Sequence, residues 1–289
     1  MILVVGATGN LGGAITQTLL AQGKPVRILA RPPSNYAPLV ERGAQVVLGD
    51  LKDTASLLPA CQGVDTVITT ANSVQRGGDD NVENVDLKGN RSLIDAAKQA
   101  GVKHFVFVSV QMADARSPAP FLAAKGATEE HLIASGIPYT IIAPNAFMEM
   151  WVGRVVGMPA MQGQPVTVVA SADTKHSFIS AADVVAFTIA ALDNPAARNQ
   201  RLVLGGPEPL SFRDAAMTYQ RVLGRPVQVR VVNPGEPVPG LPEAIVPLLT
   251  GMGMFETPID MTETARTFGI SLIPLEQMVR RSLPAAAPS

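Results

Sequence analysis

Phe121 and Lys125 lie four residues apart in "PFLAAKGATEEH", a spacing that puts both side chains on one face of a helix. In many α/β enzymes that carry hydride on a nicotinamide, Tyr takes the first position and Lys the second. The phenol then gives a proton and the ammonium holds a ribose. Here the ammonium is present and the phenol is not, because Phe121 has no proton to give. Lys125 keeps two roles open as the candidate catalytic residue. It is either a ribose anchor or, if partly buried near a cationic ring, an acid of lowered pKa.

A second constellation opens the chain. Gly6, Gly9 and Gly12 in "VVGATGNLGG" follow an apolar run and precede a helical pattern that extends to about Gln22. Such glycines allow a tight turn and let backbone N–H groups reach a pyrophosphate at the positive end of the helix. The alternative is a tight strand-to-helix turn with no ligand. The next strand ends in "ILARPP", with Arg31 and no acidic residue beside it in sequence. A guanidinium there pairs bidentately with a 2′-phosphate, which favours NADP over NAD; the alternative is a solvated surface arginine. Asp50 and Leu51, in "LGDL", are placed to meet the adenine edge.

Other candidates are weaker. Met148, Met150 and Trp151 follow the sixth strand at the end where open α/β sheets bind ligands, and suit an apolar wall for a flat substrate as well as they suit packing. His176 and Phe178, in "KHSFIS", precede a helix and are candidates to overhang a pocket. His104, His131, Tyr36, Tyr139 and Tyr219 read as structural or surface residues, and no Tyr takes the missing role. Met252 and Met254, in "GMGMFETP", suit an adaptable lid or a core. Three histidines and one cysteine give no metal-ligand spacing, and no G-x-S-x-G elbow is present.

The elements that must position these residues are legible. Apolar runs at 2–5, 26–30, 45–48, 66–70, 104–109 and 139–143 read as parallel strands covered on both faces. Helical patterns lie between them, most clearly 80–100, where Val82, Val85, Gly89, Leu93, Ala96, Ala97 and Ala100 share a face. Beyond residue 145 Pro and Gly become frequent. Strands there are isolated ("PVTVVA", "RLVLGG", "VQVRVV"), and 180–195 is the clearest helix, with Ser180 and Asp183 in capping-box positions. The closing "PAAAPS" reads as a tail.

Bulk composition fits one α/β domain with a smaller lobe. The 289 residues are 47% hydrophobic and 16% charged, with net charge −1. That balance argues against a nucleic-acid or membrane partner; a small-molecule substrate and a possible homodimer are separate expectations. The lone Cys61 forms no intrachain disulfide, and the "MILVVGATG" start has neither a basic n-region nor a long apolar run. The expectation is a cytoplasmic location.

"GATGNLGG", "LGDL", "LIDAAKQAGVKHFVFVS" and "SGIPYTIIAPNAFMEM" together resemble the NmrA-like branch of the atypical short-chain dehydrogenases/reductases. The resemblance is specific over about the first 150 residues and looser through "FISAADVV". It implies an α/β, Rossmann-type doubly wound parallel sheet that binds NADP(H). The Rossmann domain would span 1–150, with later segments returning to it, and a smaller substrate lobe would take most of 151–289. It further implies that Gly6, Thr8, Gly9, Asn10, Leu11 and Gly12 form the phosphate loop and that Arg31 holds the 2′-phosphate. Ala71, Asn72 and Ser73 would line the adenosine–ribose side. Ser109 would sit near the nicotinamide, Lys125 on its ribose, and Pro144, Asn145 and Phe147 beside the ring. Phe121, Met148, Trp151, His176 and Phe178 would face substrate. Relatives of this kind divide into reductases of quinones, enones and aryl ethers and non-catalytic dinucleotide sensors that act through a protein partner. Loss of the Tyr is common among them, so Phe121 is compatible with either.

Overall fold

A computed structural model describes residues 1–74, 76–242 and 245–283. The expected tail at 284–289 lies outside the described residues. The chain divides into two compact units, Met1–Pro144 with Val185–Val203, and Asn145–Val184 with Leu204–Ser289.

The first unit is built on a mostly parallel sheet. Its strands are β1 (Ile2–Val5), β2 (Val26–Ala30), β3 (Gln45–Leu48), β4 (Thr66–Thr69), β5 (His104–Val108), β6 (Tyr139–Pro144) and β8 (Gln200–Leu204). They run in the order β3-β2-β1-β4-β5-β6-β8. β1 pairs in parallel with both β2 and β4, with Val5 opposite Leu29 and Thr69. This is the Rossmann-type order, and it reverses between β1 and β4, so chain segments leaving those two strands diverge at the carboxyl edge. Apolar side chains on both faces of each strand explain why the runs read as continuous: β5 is buried at every position.

Helices flank the sheet. α1 (Asn10–Ala21) packs on β1 and β2. α3 (Thr54–Cys61), α4 (Asn90–Gln99) and α5 (Pro120–Ser135) share one apolar core with the sheet, in which Leu57, Leu93, Ile94, Phe105, Phe107, Leu132 and Ile141 are fully buried. Cys61 lies in that core, and burial pushes its thiol up to about 11. α2 (Ala37–Glu41) is short. The pattern at 80–100 forms two differently wound pieces, because Val82–Gly89 is π-helical and only α4 is regular.

The second unit holds α6 (Met158–Gln162), β7 (Val166–Val169), α8 (Phe212–Leu223), β9 (Val229–Val232), α9 (Val246–Met254), α10 (Thr262–Phe268) and α11 (Leu275–Ser282). β7 and β9 form a two-stranded parallel sheet, and Val152, Val156, Val168, Phe178 and Tyr219 are fully buried in its core. A π-helical stretch, Met148–Gly157, opens this unit. α7 (Ala181–Asp193) follows Ser180, whose expected capping partner is engaged elsewhere. The Asp183 carboxylate accepts from Ile273 N–H at 3.0 Å, and Glu149 serves the helix start by accepting from Ser180 Oγ and Ala181 N–H. Among the described residues no helix is long and apolar enough to cross a membrane.

Candidate functional site

The turn after β1 is glycine-dependent for two separate reasons. Gly6 has φ +89°, and a Cβ there would meet Thr70 Oγ1 at 2.6 Å. A Cβ on Gly12 would come within 2.3 Å of the Gly6 carbonyl oxygen. These two glycines let strand, turn and helix approach one another. Gly9 differs: its φ is an ordinary −86°, and the nearest atom to an added Cβ is Gly6 O at 3.3 Å. No side chain caps α1, and Thr8, Gly9 and Asn10 are exposed with Leu11 half-buried beside them. The helix start therefore offers backbone N–H groups and a smooth Gly9 face to an anion.

Next to this turn, across the pairing of β1 with β2, Arg31 heads a cationic group. Arg31 Nη1 and Lys52 Nζ each donate to the Asp80 carboxylate at 2.6 Å, and Arg76 Nη1 does so at 3.3 Å. The hydrogen bond from Lys52, joined by those from Arg31 and Arg76, holds the Asp80 carboxyl well below the usual carboxylate range. Reciprocally, Asp80 raises the Lys52 ammonium. The expectation of no acid near Arg31 holds along the strand and fails in space, because the acid arrives from a loop forty-nine positions downstream. Asp50 turns back on its own chain, with Oδ1 accepting from Lys52 N–H at 2.9 Å and Oδ2 lying 3.9 Å from Lys52 Nζ. Leu51 is 7% exposed and packs in the core.

The segments leaving β4 and β5 are tied together by buried charges. Ser73 is fixed through its N–H (2.9 Å) and Oγ (2.6 Å), both donating to Asp86 Oδ2. The other Asp86 oxygen lies 3.7 Å from Lys125 Nζ, which also donates to the Val108 carbonyl at 3.2 Å. Asn72 closes a local turn, accepting from Val74 N–H, while the Ala71 carbonyl accepts from Asn90 Nδ2. Ser109 Oγ donates to Glu129, whose second oxygen pairs with Arg201 Nε at 2.7 Å; Arg201 Nη2 in turn donates to the Val110 and Gln111 carbonyls. One network thus runs from Ser73 to Lys125 and another from Ser109 to Arg201.

Lys125, expected as a ribose anchor or a partly buried acid, lies deeper than partial burial. Its residue is 2% exposed, and its ammonium lies 4.8 Å from the Phe107 ring centroid and 5.7 Å from that of Phe121. Asp86, Val108 O and two aromatic faces replace water around the charge. Burial lowers the Lys125 pKa, opposed by Asp86. Phe121 itself is half-buried.

The remaining candidates belong partly to the second unit. Pro144 ends β6, buried, and its carbonyl accepts from Gln111 N–H at 2.9 Å. Asn145 Nδ2 donates to the Thr257 carbonyl at 2.8 Å, and its Oδ1 accepts from Ala146 N–H. Phe147 and Trp151 are half-buried. Met148, His176 and Phe178 are 1%, 1% and 0% exposed, inside the second unit rather than at a surface. His176 is used at both nitrogens. Nε2 donates to Met252 O at 2.8 Å, so Nδ1 is left to accept from Thr257 Oγ1 at 2.8 Å. Its ring stacks obliquely on Phe178 and Phe212, with centroids 5.4 and 6.4 Å away, and burial lowers its pKa. These are the marks of a structural histidine, and Phe178 fills the core beside it.

Residues 1–275 match the NmrA-like family as a whole. The chain belongs to the NmrA-like family. The match runs well past the first 150 residues that carry the specific motifs. Among curated relatives, this NmrA-like chain is 34% identical over 229 residues to the photosystem II assembly factor Ycf39 of Cyanophora paradoxa, covering 79% of this chain and 70% of that one. It is 30% identical over 260 residues to the NAD(P)H azoreductase of Xenophilus azovorans, covering 90% and 84%. Of solved structures, the NADPH-dependent quinone oxidoreductase QOR2 of Escherichia coli, complexed with NADPH, superposes with a TM-score of 0.82 at 23% identity, over 97% of this chain and 99% of that one. The triphenylmethane reductase of Citrobacter sp., complexed with NADP(H), gives 0.82 at 23% identity over 98% and 100%. Both likenesses show the same fold.

Six charged residues of this NmrA-like chain escape a reading of the sequence: Lys52, Arg76, Asp80, Asp86, Glu129 and Arg201. Two carried a signal. Asp86 sits next to the apolar stripe of Val82, Val85 and Gly89, and Glu129 lies four residues after Lys125 on one helix face. Asp80 and Arg201 are long-range partners with no local cue.

Proposed function

We propose that this chain is an NADPH-dependent reductase that transfers hydride to a small apolar quinone, conjugated enone or related carbonyl compound. The observation that carries the reading is an uncapped helix start behind Gly9 together with Arg31 after β2 and Lys52 after β3, which converge on one carboxylate. A pyrophosphate fits the first and a 2′-phosphate the second, so the residues present fit NADP(H). The reductase relatives and the NADP(H)-bound neighbours of the same fold support it.

Bound NADPH supplies the hydride; the chain binds, orients and excludes water. Lys125 acts as a positioning residue. By gripping Val108 O and Asp86 it fixes the exits of β5 and β4, and with them Ser109 and Ser73. Proximity and desolvation then lower the barrier without a phenol donor. A quinone or enone suits this chemistry because the proton follows hydride addition and can come from water. The second unit serves the substrate, with Phe147 and Trp151 half-exposed for contact, and the compartment is cytoplasmic.

A second reading is a non-catalytic NADP(H) binder acting through a protein partner. It is favoured by the assembly-factor relative and by the burial of Lys125 beside Phe121, which stands in the Tyr position. NADPH absorbance decay against a panel of quinones and enones, with calorimetric titration of NADP and NAD, separates them. Turnover with any acceptor supports the reductase. Binding without turnover across the panel supports the sensor, and tighter binding of NAD than of NADP overturns the cofactor assignment.

A further inference from the structure

We infer that Asp80 is a built-in occupant of the 2′-phosphate seat and sets how strongly the chain prefers the phosphorylated dinucleotide. This rests on the NADP reading above. Three cations from three separate segments, Arg31 after β2, Lys52 after β3 and Arg76 after β4, converge on one carboxylate. The Asp80 side chain is 16% exposed, so it sits within the cluster rather than on its rim. Two further carboxylates act on Lys52: Asp50, 3.9 Å from its Nζ, and Asp79.

A carboxylate and a phosphate monoester present the same chemistry to a guanidinium or an ammonium: anionic oxygens that only accept. They therefore compete for the same donors. Asp80 occupies Arg31 Nη1 and one Lys52 N–H, so a 2′-phosphate is left with the remaining donors of both side chains and is repelled while Asp80 stays. A free 2′-hydroxyl has the opposite requirement. It donates, and the Asp80 carboxylate is the acceptor that β2 itself lacks. Asp80 thus taxes the phosphorylated cofactor and assists the unphosphorylated one. The residue narrows a preference that Arg31 and Lys52 alone would make wide.

The test is calorimetric titration of the full chain with 2′,5′-ADP, NADP and NAD at one fixed ionic strength, for wild type, Asp80→Asn, Asp80→Ser and Arg31→Ala. Removing the charge is expected to tighten 2′,5′-ADP and NADP at least about fivefold, the scale of one net hydrogen bond, while NAD binds equally or more weakly. Both substitutions must give this sign, with thermal midpoints recorded to confirm folding. If 2′,5′-ADP and NADP bind no more tightly to the Asp80 variants although Arg31→Ala weakens them, the inference about Asp80 is wrong and the NADP reading stands. If Arg31→Ala leaves 2′,5′-ADP unaffected, the NADP reading itself is wrong and the inference falls with it.

Discussion

Lys125 Nζ and Asp86 Oδ1 face each other across 3.7 Å with side chains 3% and 0% exposed, so the cation expected to meet a cofactor is first of all half of a buried ion pair. Breaking such a pair strands the surviving charge. Lys125→Met is expected to lower unfolding free energy by about 3–5 kcal/mol in urea denaturation. The double variant Lys125→Met/Asp86→Asn should cost less than the sum of its parts, since Asn keeps an acceptor for Ser73 without the orphan charge. Strict additivity would mean that the two groups are not coupled. Lys125→Ala should also weaken NADP binding, because Ser73 and Val108 lose their shared tie.

Gly9 and Gly12 should separate folding from binding. A Cβ on Gly12 meets backbone, Gly6 O at 2.3 Å, and the turn cannot absorb it. Gly12→Ala is expected to cost several kcal/mol, about the scale of core overpacking or more. At Gly9 the closest atom is 3.3 Å away, so Gly9→Ala should melt within a few degrees of wild type while losing most of its dinucleotide affinity. Equal melting points for the two variants, or unchanged NADP affinity in Gly9→Ala, would contradict the division.

How much of this was readable follows from where each signal lies. The six leading strands are visible because parallel strands are apolar on both faces, and residue after residue of β1, β5 and β6 is buried. The glycine turn is visible because its requirement is local. The π-helical winding of Val82–Gly89 is invisible to a 3.6-residue period; Asp86 within it has a local cue in the adjacent apolar stripe, but its pairing with Lys125 has none. Asp80 and Arg201 are joined to Arg31 and Glu129 only by tertiary folding. His176 reads in sequence as a loop histidine placed to overhang a pocket, with a structural role the commoner one for such a residue. Only the structure brings Thr257 and Met252 to both its nitrogens.

Two buried groups should give opposite slopes to stability against pH. His104 is buried on β5, its Nε2 3 Å-scale partner is Thr140 Oγ1 at 2.9 Å, and Nδ1 has no partner among the described residues. Burial, helped by Arg198, lowers it from 6.5 to about 4. The unfolded chain then takes up the proton first, so stability present above pH 6.5 is lost as pH falls toward 4. Asp183 is raised from 3.8 to about 6 by burial, so its contribution is present below pH 3.8 and lost as pH rises through 6. Each amounts to about 3 kcal/mol. Asp183→Asn, which keeps an acceptor for Ile273 N–H, should therefore gain stability at pH 8 and little at pH 4. His104→Gln should lose less, relative to wild type, at pH 4 than at pH 7. Urea titrations at these pH values decide both, and parallel curves for variant and wild type would exclude the assigned group.

Phe121→Tyr tests what the missing phenol means for the chemistry. The Phe121 ring already lies on the helix face of Lys125, with its centroid 5.7 Å from Nζ, so a hydroxyl added there needs no new backbone position. Hydride addition to a quinone spreads charge over the ring system, and water can complete the protonation. Rates with quinones should then change by less than about threefold. A simple ketone develops a localised alkoxide that profits from a donor, for which general acid catalysis is worth about a hundredfold or more when the donor is well placed. The variant should accordingly gain activity with simple carbonyls while holding its quinone rate. Stopped-flow rates of NADPH oxidation with matched quinone and ketone acceptors give the comparison. A quinone rate raised as much as the ketone rate would show that proton supply, and not hydride positioning, limits the natural enzyme.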